Sequence, residues 1–270
     1  MAKYKKKRVR ELQHDRFRDT AMTLMDRLGD RLEGKGKTIL YSLGAVILLI
    51  ALAGLYMRWS NKKEDEALRA LGRGITIATA PISPAASTDP TNPTFTNERE
   101  RAQRATEEFQ KVVAKYGDPY RTEARYFAAT NQLLFNREQG ISELTELSRS
   151  GNTEVASLAK FALAQAKEAD GGLDEAAELY RELAAQNSVI ITSDTANLRL
   201  ALVYDKQGKK QEAADLLFNI VEGARKAKDA DGTPKPESAA VREAAKELQR
   251  IDPARHSQLS PVSPLSDLAF

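Results

Sequence analysis

The chain has 270 residues, 41 Lys+Arg against 38 Asp+Glu, a formal net charge of +3 and no cysteine. The missing cysteine excludes disulfides, thiol catalysis and cysteine metal sites, and the near balance of charge excludes a basic nucleic-acid-binding field over the body of the chain. Mean hydropathy is −0.49, so any long apolar run must be offset by a polar remainder.

Charge is concentrated at the start. Residues 1–37 hold twelve Lys/Arg, six of them in the first ten positions. From Val9 to Leu32 the apolar residues Leu12, Phe17, Ala21, Leu24, Leu28 and Leu32 recur at helical spacing between charged ones, an amphipathic helix ending at Gly34. Two roles suit it: a helix resting on anionic lipid or on a membrane partner, and a solvated tail whose charges only set topology. No aromatic platform accompanies the basic run, so nucleic acid is not an expected partner. Gly29-x4-Gly34-Lys35 opens like a phosphate-binding loop, but Gly36 follows in place of Ser/Thr and no strand precedes it, so it reads as a turn.

Residues 38–57 form a run of twenty without a charge. As a helix this run spans roughly 30 Å, the thickness of a bilayer's hydrocarbon core, which predicts a transmembrane helix in contact with membrane lipid. Tyr41, Tyr56 and Trp59 stand at its ends, and Lys35, Lys37, Arg58, Lys62 and Lys63 bracket it. Ala51-Leu52-Ala53 has the look of a signal-peptidase site, but the 37 residues before the run and its continuation past that site favour a retained anchor. The twenty residues on either side carry five Lys/Arg each, so the basic run at the start decides the orientation. The expectation is a single-pass protein of the bacterial inner (plasma) membrane, with a cytoplasmic N-terminus and a periplasmic C-terminal domain.

Beyond the span the composition is helical, and the fold class is all-α: one N-terminal transmembrane helix, then an α-solenoid of about three to four helical pairs. Helices are expected over 62–78, 97–116, 119 to about 137, and 141–149. Residues 80–96, with Pro81, Pro84, Pro90 and Pro93, read as an irregular loop. A repeat follows. Leu163 and Ala164 recur as Leu200 and Ala201, Gly171 as Gly208, and Ala176 as Ala213, each 37 residues later. The alanines let two helices close on each other, the glycines make the turn between them, and Tyr180 and Leu217 fill the space to the next unit.

This is the tetratricopeptide pattern, met most fully by Leu200, Ala201, Tyr204, Gly208 and Ala213, with about three residues beyond the usual 34 accommodated in 187–193. Earlier units are degenerate. Ala124, Tyr126, Ala128 and Leu134 serve one first helix, and Ile141, Leu144 and Leu147 its partner. Ala105, Phe109 and Val112 close an initial unit opened by Ala67 and Leu71. The repeat domain is placed at 62–223, a capping helix at 236–251 and a disordered tail at 253–270.

Pattern matching puts Phe161, Gln165, Leu198, Leu202 and Asp205 on the concave, first-helix face. Clamps for a terminal carboxylate use Lys, Asn and Arg there, so an apolar groove for a helix or extended segment is the expected alternative, unless these side chains pack on neighbouring helices. Catalysis is not expected. His14 and His256 are the only histidines and lack a nucleophile or ligand set at motif spacing. Asp174 and Glu175 begin a helix, where acids complement the dipole. No metal and no cofactor is expected.

A short basic tail, one span, a charged helix start at Asn61–Glu66 and several degenerate helical pairs resemble the YfgM-type membrane-anchored tetratricopeptide proteins of the bacterial envelope. The phrase Val112-Val113-x-x-Tyr116-Gly117-x-Pro119-Tyr120-x-x-x-Ala124 is also similar to helix junctions in cell-division coordinators and outer-membrane assembly lipoproteins, although the lipidated cysteine of the latter is absent. The resemblance implies an ancillary subunit of the Sec translocon that works with a periplasmic chaperone or isomerase. The alternative is a coordinator of envelope or division machinery.

Overall fold

The computed structural model describes residues 62–262 except 86, 88, 90, 91, 187 and 229–231. The tail at 1–37, the apolar run at 38–57 and residues 263–270 lie outside the described residues. Contacts divide the chain into Met1–Asp65 and Glu66–Phe270, and the architecture below is that of the second unit. Among the described residues no helix is long and apolar enough to cross a membrane.

The described residues form α1 (62–78), α2 (Glu98–Lys115), α3 (Tyr120–Gln132), α4 (Arg137–Leu147), α5 (Thr153–Ala169), α6 (Leu173–Ala185), α7 (Ser193–Lys206), α8 (Lys210–Lys226), α9 (Ala239–Ile251) and the single turn α10 (Pro253–His256). Side-chain caps begin four of the long helices. Asn97 accepts from the Glu100 N–H, Asn152 from Glu154 and Val155, Thr192 from Thr195, and Ser238 from Val241. From α2 onward each long helix packs on the one before it, and Ala70 and Leu71 of α1 share a core with Ala105 and Phe109 of α2. The result is a succession of pairs, α1–α2, α3–α4, α5–α6 and α7–α8, closed by α9.

The repeat runs through all four pairs. The second helices bury the same three positions: Ala105, Phe109 and Val112 in α2; Gly140, Leu144 and Leu147 in α4; Ala176, Tyr180 and Leu183 in α6; Ala213, Leu217 and Ile220 in α8. Successive sets stand 35, 36 and 37 residues apart. In the first helices, Ala129, Ala164 and Ala201 are all fully buried where a helix crosses closely. Two turns use left-handed glycines, Gly171 at φ +79° and Gly208 at φ +78°. There the Gly172 and Lys209 N–H groups donate to the carbonyls of Lys167 and Tyr204, each at 2.9 Å, ending the preceding helix.

The α3–α4 pair departs from the sequence expectation. Its first helix stops at Gln132 rather than near Arg137, and its second begins at Arg137 rather than Ile141. Gly140 is the cause. It lies inside α4, where a Cβ would stand 2.9 Å from the Ala129 carbonyl oxygen and from the Leu133 nitrogen, so only glycine lets α4 close on α3 here. Ala129 precedes Gly140 by 11 residues, whereas Ala164 and Ala201 precede Ala176 and Ala213 by 12. The spacing between the crossing residues is thus one residue shorter, and the turn has no left-handed glycine, which hides the repeat from a fixed-spacing search.

In the loop at 80–96, isolated bridges join Ile82 to Phe95 and Ser87 to Thr94, and Ala80 and Phe95 are buried. Two further boundaries shift. The capping helix starts at Ala239, not at Pro236. The segment expected as a disordered tail forms α10 and then packs back on α8 as far as Ser260, whose N–H donates to Glu222 at 2.9 Å. Its polar composition concealed this order, because it is held largely by side-chain and backbone hydrogen bonds, with Leu259 its one apolar contact to the α8–α9 core.

Candidate functional site

The five groove positions separate into two groups. Phe161 is half-buried, with its ring edge-on to Tyr180 at 5.8 Å between centroids, and Gln165, one turn along α5, is exposed. Leu198 is 8% exposed, in a core with Ala201 and Leu217 and with Val241, Ala244 and Leu248 of α9. Leu202 is half-buried against the same core. Asp205 is ion-paired with Arg250 of α9 at 2.6 Å. Leu198, Leu202 and Asp205 therefore meet the chain's own last long helix, while the side chains of α5 form the more open part of the first-helix face.

The repeat-packing positions Leu163, Ala164, Ala176, Tyr180, Leu200, Ala201, Ala213 and Leu217 are buried, and Gly171 and Gly208 occupy exposed turns. Tyr204 is half-buried. Its hydroxyl accepts from Arg181 at 3.1 Å, and the Lys209 ammonium sits 5.6 Å from its ring centre.

Between the third and fourth pairs lies a polar node that sequence reasoning missed. Glu168, at the end of α5, is only 8% exposed. Its carboxylate accepts from the Tyr180 hydroxyl at 3.0 Å, from Arg199 at 2.8 Å and from Lys206 at 2.6 Å, so donors from α6 and α7 converge on it and three helices are joined. Burial alone would raise its pKa, but the Lys206 hydrogen bond, the Arg199 charge and the Tyr180 hydroxyl outweigh burial and hold it below the ordinary carboxylate range. Burial pushes the Tyr180 phenol up to about 12, against the opposing pull of Arg199. Asp205, 37 residues after Glu168, occupies the same place in the next unit and likewise reaches a base two helices on, Arg250 of α9. An acid recurring at the repeat period was the available signal.

A second polar cluster fastens the end of the array. Arg225 of α8 donates to Glu237 at 2.8 Å, just before α9, and to the Ser260 carbonyl at 2.5 Å, just after α10. Glu222, one turn earlier, accepts from the Ser260 N–H at 2.9 Å and hydroxyl at 2.8 Å and pairs with Lys226 at 2.9 Å. The Ser260 N–H, then Lys226 and the Ser260 hydroxyl, draw the Glu222 carboxyl down to about 2. Elsewhere, a depression of about 590 Å³ at the loop end of the third pair is lined by Ser148, Arg149, Thr153, Glu154, Ser157 and Ser188, beside Val189, which is 95% exposed. Among the described residues no group of three His, Cys, Asp or Glu is placed to hold a metal. His256 lies in α10, far in sequence from any nucleophile-bearing motif, and His14 lies outside the described residues.

No protein-family model matches the chain, and no curated protein does. Among solved structures it is similar to the Podosopora anserina putative kinesin light chain nearly identical TPR-like repeats and to a variant of the same protein. Each is 22% identical, with 60% of this chain and 82% of that chain covered, at a TM-score of 0.43.

Proposed function

We propose that this protein is a non-catalytic, membrane-tethered scaffold that binds protein partners through the first-helix face of its TPR-like solenoid. The observation that carries the reading is the four-pair repeat itself. The small and large side chains that recur at the repeat period are consumed in packing, so chemistry specific to a partner is left to the side chains between them. Phe161 and Gln165 supply such a surface, an aromatic edge beside an amide, suited to a helix or an extended segment. The uncharged run at 38–57 supports the tether, with the N-terminus in the cytoplasm and the solenoid at the outer, periplasmic face of the inner membrane. Confinement near membrane-bound partners raises their effective concentration, so modest affinity at the solenoid suffices.

The partners in this reading are subunits of the Sec translocon and a periplasmic chaperone or isomerase, which the architecture's resemblance to YfgM-type proteins supports. A second reading, coordination of division or outer-membrane assembly, is favoured by the junction phrase around Tyr116 and Pro119. Crosslinking in intact membranes followed by purification separates them. Recovery of translocon subunits with a periplasmic isomerase supports the first, and recovery of division or outer-membrane factors alone refutes it. Intact-mass analysis of the N-terminus tests retention of the span.

A further inference from the structure

We infer that residues 238–260 act as an intramolecular strap, which covers the first-helix face of the last pair and is released when its fastening to one turn of α8 is undone. This concerns the regulation of the binding face proposed above and rests on that reading for its biological use.

Three observations converge. The strap covers expected binding positions: α9 packs on both α7 and α8, as α5 packs on α3, whereas α7 lies on α6 and reaches α5 through side chains such as Arg199 and Lys206 on Glu168. Leu198 thereby becomes core and Asp205 becomes the partner of Arg250. The strap is itself built like a docked amphipathic helix, with Val241, Ala244 and Leu248 fully buried and Arg242, Glu243, Lys246 and Arg250 exposed. A helix of that kind is also what an external partner would present to an apolar groove.

The third observation is the fastening. A helix that only sealed the end of the array would need its apolar face alone. Here the chain is tied down on both sides of α9, at Glu237 and at Ser260, and both ties end on Arg225 and Glu222. The Arg225 and Glu237 side chains are each only 10% exposed, so neither charge can be rehydrated without movement of the strap. Loss of Arg225 leaves the Glu237 carboxylate buried without its cation and the Ser260 carbonyl without its donor, and outward movement relieves both.

The absence of native cysteine allows a direct test in the full chain. A single thiol introduced by Leu198→Cys reports uncovering of the face, and one introduced by Leu183→Cys, in the fully buried core of α6, reports general opening. Adding Arg225→Ala is expected to raise the maleimide labelling rate at position 198 at least tenfold and leave position 183 slow. An unchanged rate at 198, or an equal rise at both positions, overturns the inference. If Arg225→Ala loses helical circular dichroism, Glu222→Gln, which weakens the Ser260 tie and the exposed Lys226 pair but keeps Arg225 on Glu237, is judged by the same two rates. The measurement needs no partner, so failure of the scaffold reading and failure of the strap are told apart.

Discussion

Replacing Glu168 by alanine is expected to destabilise the solenoid by about 3 kcal/mol, and most of the cost falls on one neighbour. The carboxylate has three donors, which differ in what happens when it is gone. Lys206 is 55% exposed and Arg199 31% exposed at the side chain, so both turn to water, and each contributes about 0–1 kcal/mol. The Tyr180 hydroxyl sits on a residue with no exposed surface and cannot do so, and a buried donor left without an acceptor costs about 1–3 kcal/mol. Removal of the buried methylenes adds roughly 1 kcal/mol. With a urea m-value of about 2 kcal/mol/M, the midpoint falls by roughly 1.5 M at constant slope. Tyr180→Phe alone should cost about 1 kcal/mol, because both cations keep their carboxylate. In the double variant no orphaned phenol remains, so its cost should fall short of the sum by about 1–2 kcal/mol. Additivity within about 0.5 kcal/mol, or a loss below about 1 kcal/mol for Glu168→Ala, refutes the node as a unit.

The same node sets a pH dependence. The folded Glu168 carboxyl lies below the ordinary value of 4.5, so its contribution is present above that pH and is lost as pH falls through the folded value; melts of Glu168→Ala should be flatter in that acid window. The Tyr180 phenol is raised from 10.0 to about 12, so its contribution is present below pH 10 and is lost as pH rises through about 12, a loss that Tyr180→Phe should abolish. Gly208→Ala should cost about 1 kcal/mol in thermal denaturation, because φ of +78° is strained for an L side chain although space is open around it. Gly140→Ala should cost about 1–3 kcal/mol for the opposite reason, since its methyl group meets backbone atoms that cannot give way. Leu198→Ala should cost about 2–4 kcal/mol as a core truncation, whereas Gln165→Ala should stay within about 0.5 kcal/mol, so loss of partner binding at Gln165 reads the surface rather than the fold.

Legibility followed the range of the interactions. Ala164, Gly171 and Ala176 pack within one helical pair, a contact made over a dozen residues, and the same chemistry recurs at 200–213 because the same close crossing recurs. The α3–α4 pair was only half legible. Its crossing residues are spaced one residue closer, and glycine stands in α4 where the other pairs have alanine, so a residue that reads as a breaker is a packing residue. Asp205 and Leu202 matched a groove pattern that is the same whether the next helix leaves the face open or leans over it. The tie from Arg225 to Ser260 crosses 35 residues of polar sequence and carries no periodicity by which to find it.

By itself, then, the sequence determined that the part of the chain after the apolar run is a helical repeat with alanine crossings and glycine turns, because these are local packing demands written at a fixed period. It also set out the uncharged run at 38–57 and the basic residues around it. Only the tertiary structure decided that Glu168 gathers three helices, that a C-terminal stretch expected to be disordered is fastened to α8, and that α9 lies over Leu198. Those depend on the angle at which one pair meets the next. That angle is settled by the summed packing of whole helices, and no single spacing in the chain records it.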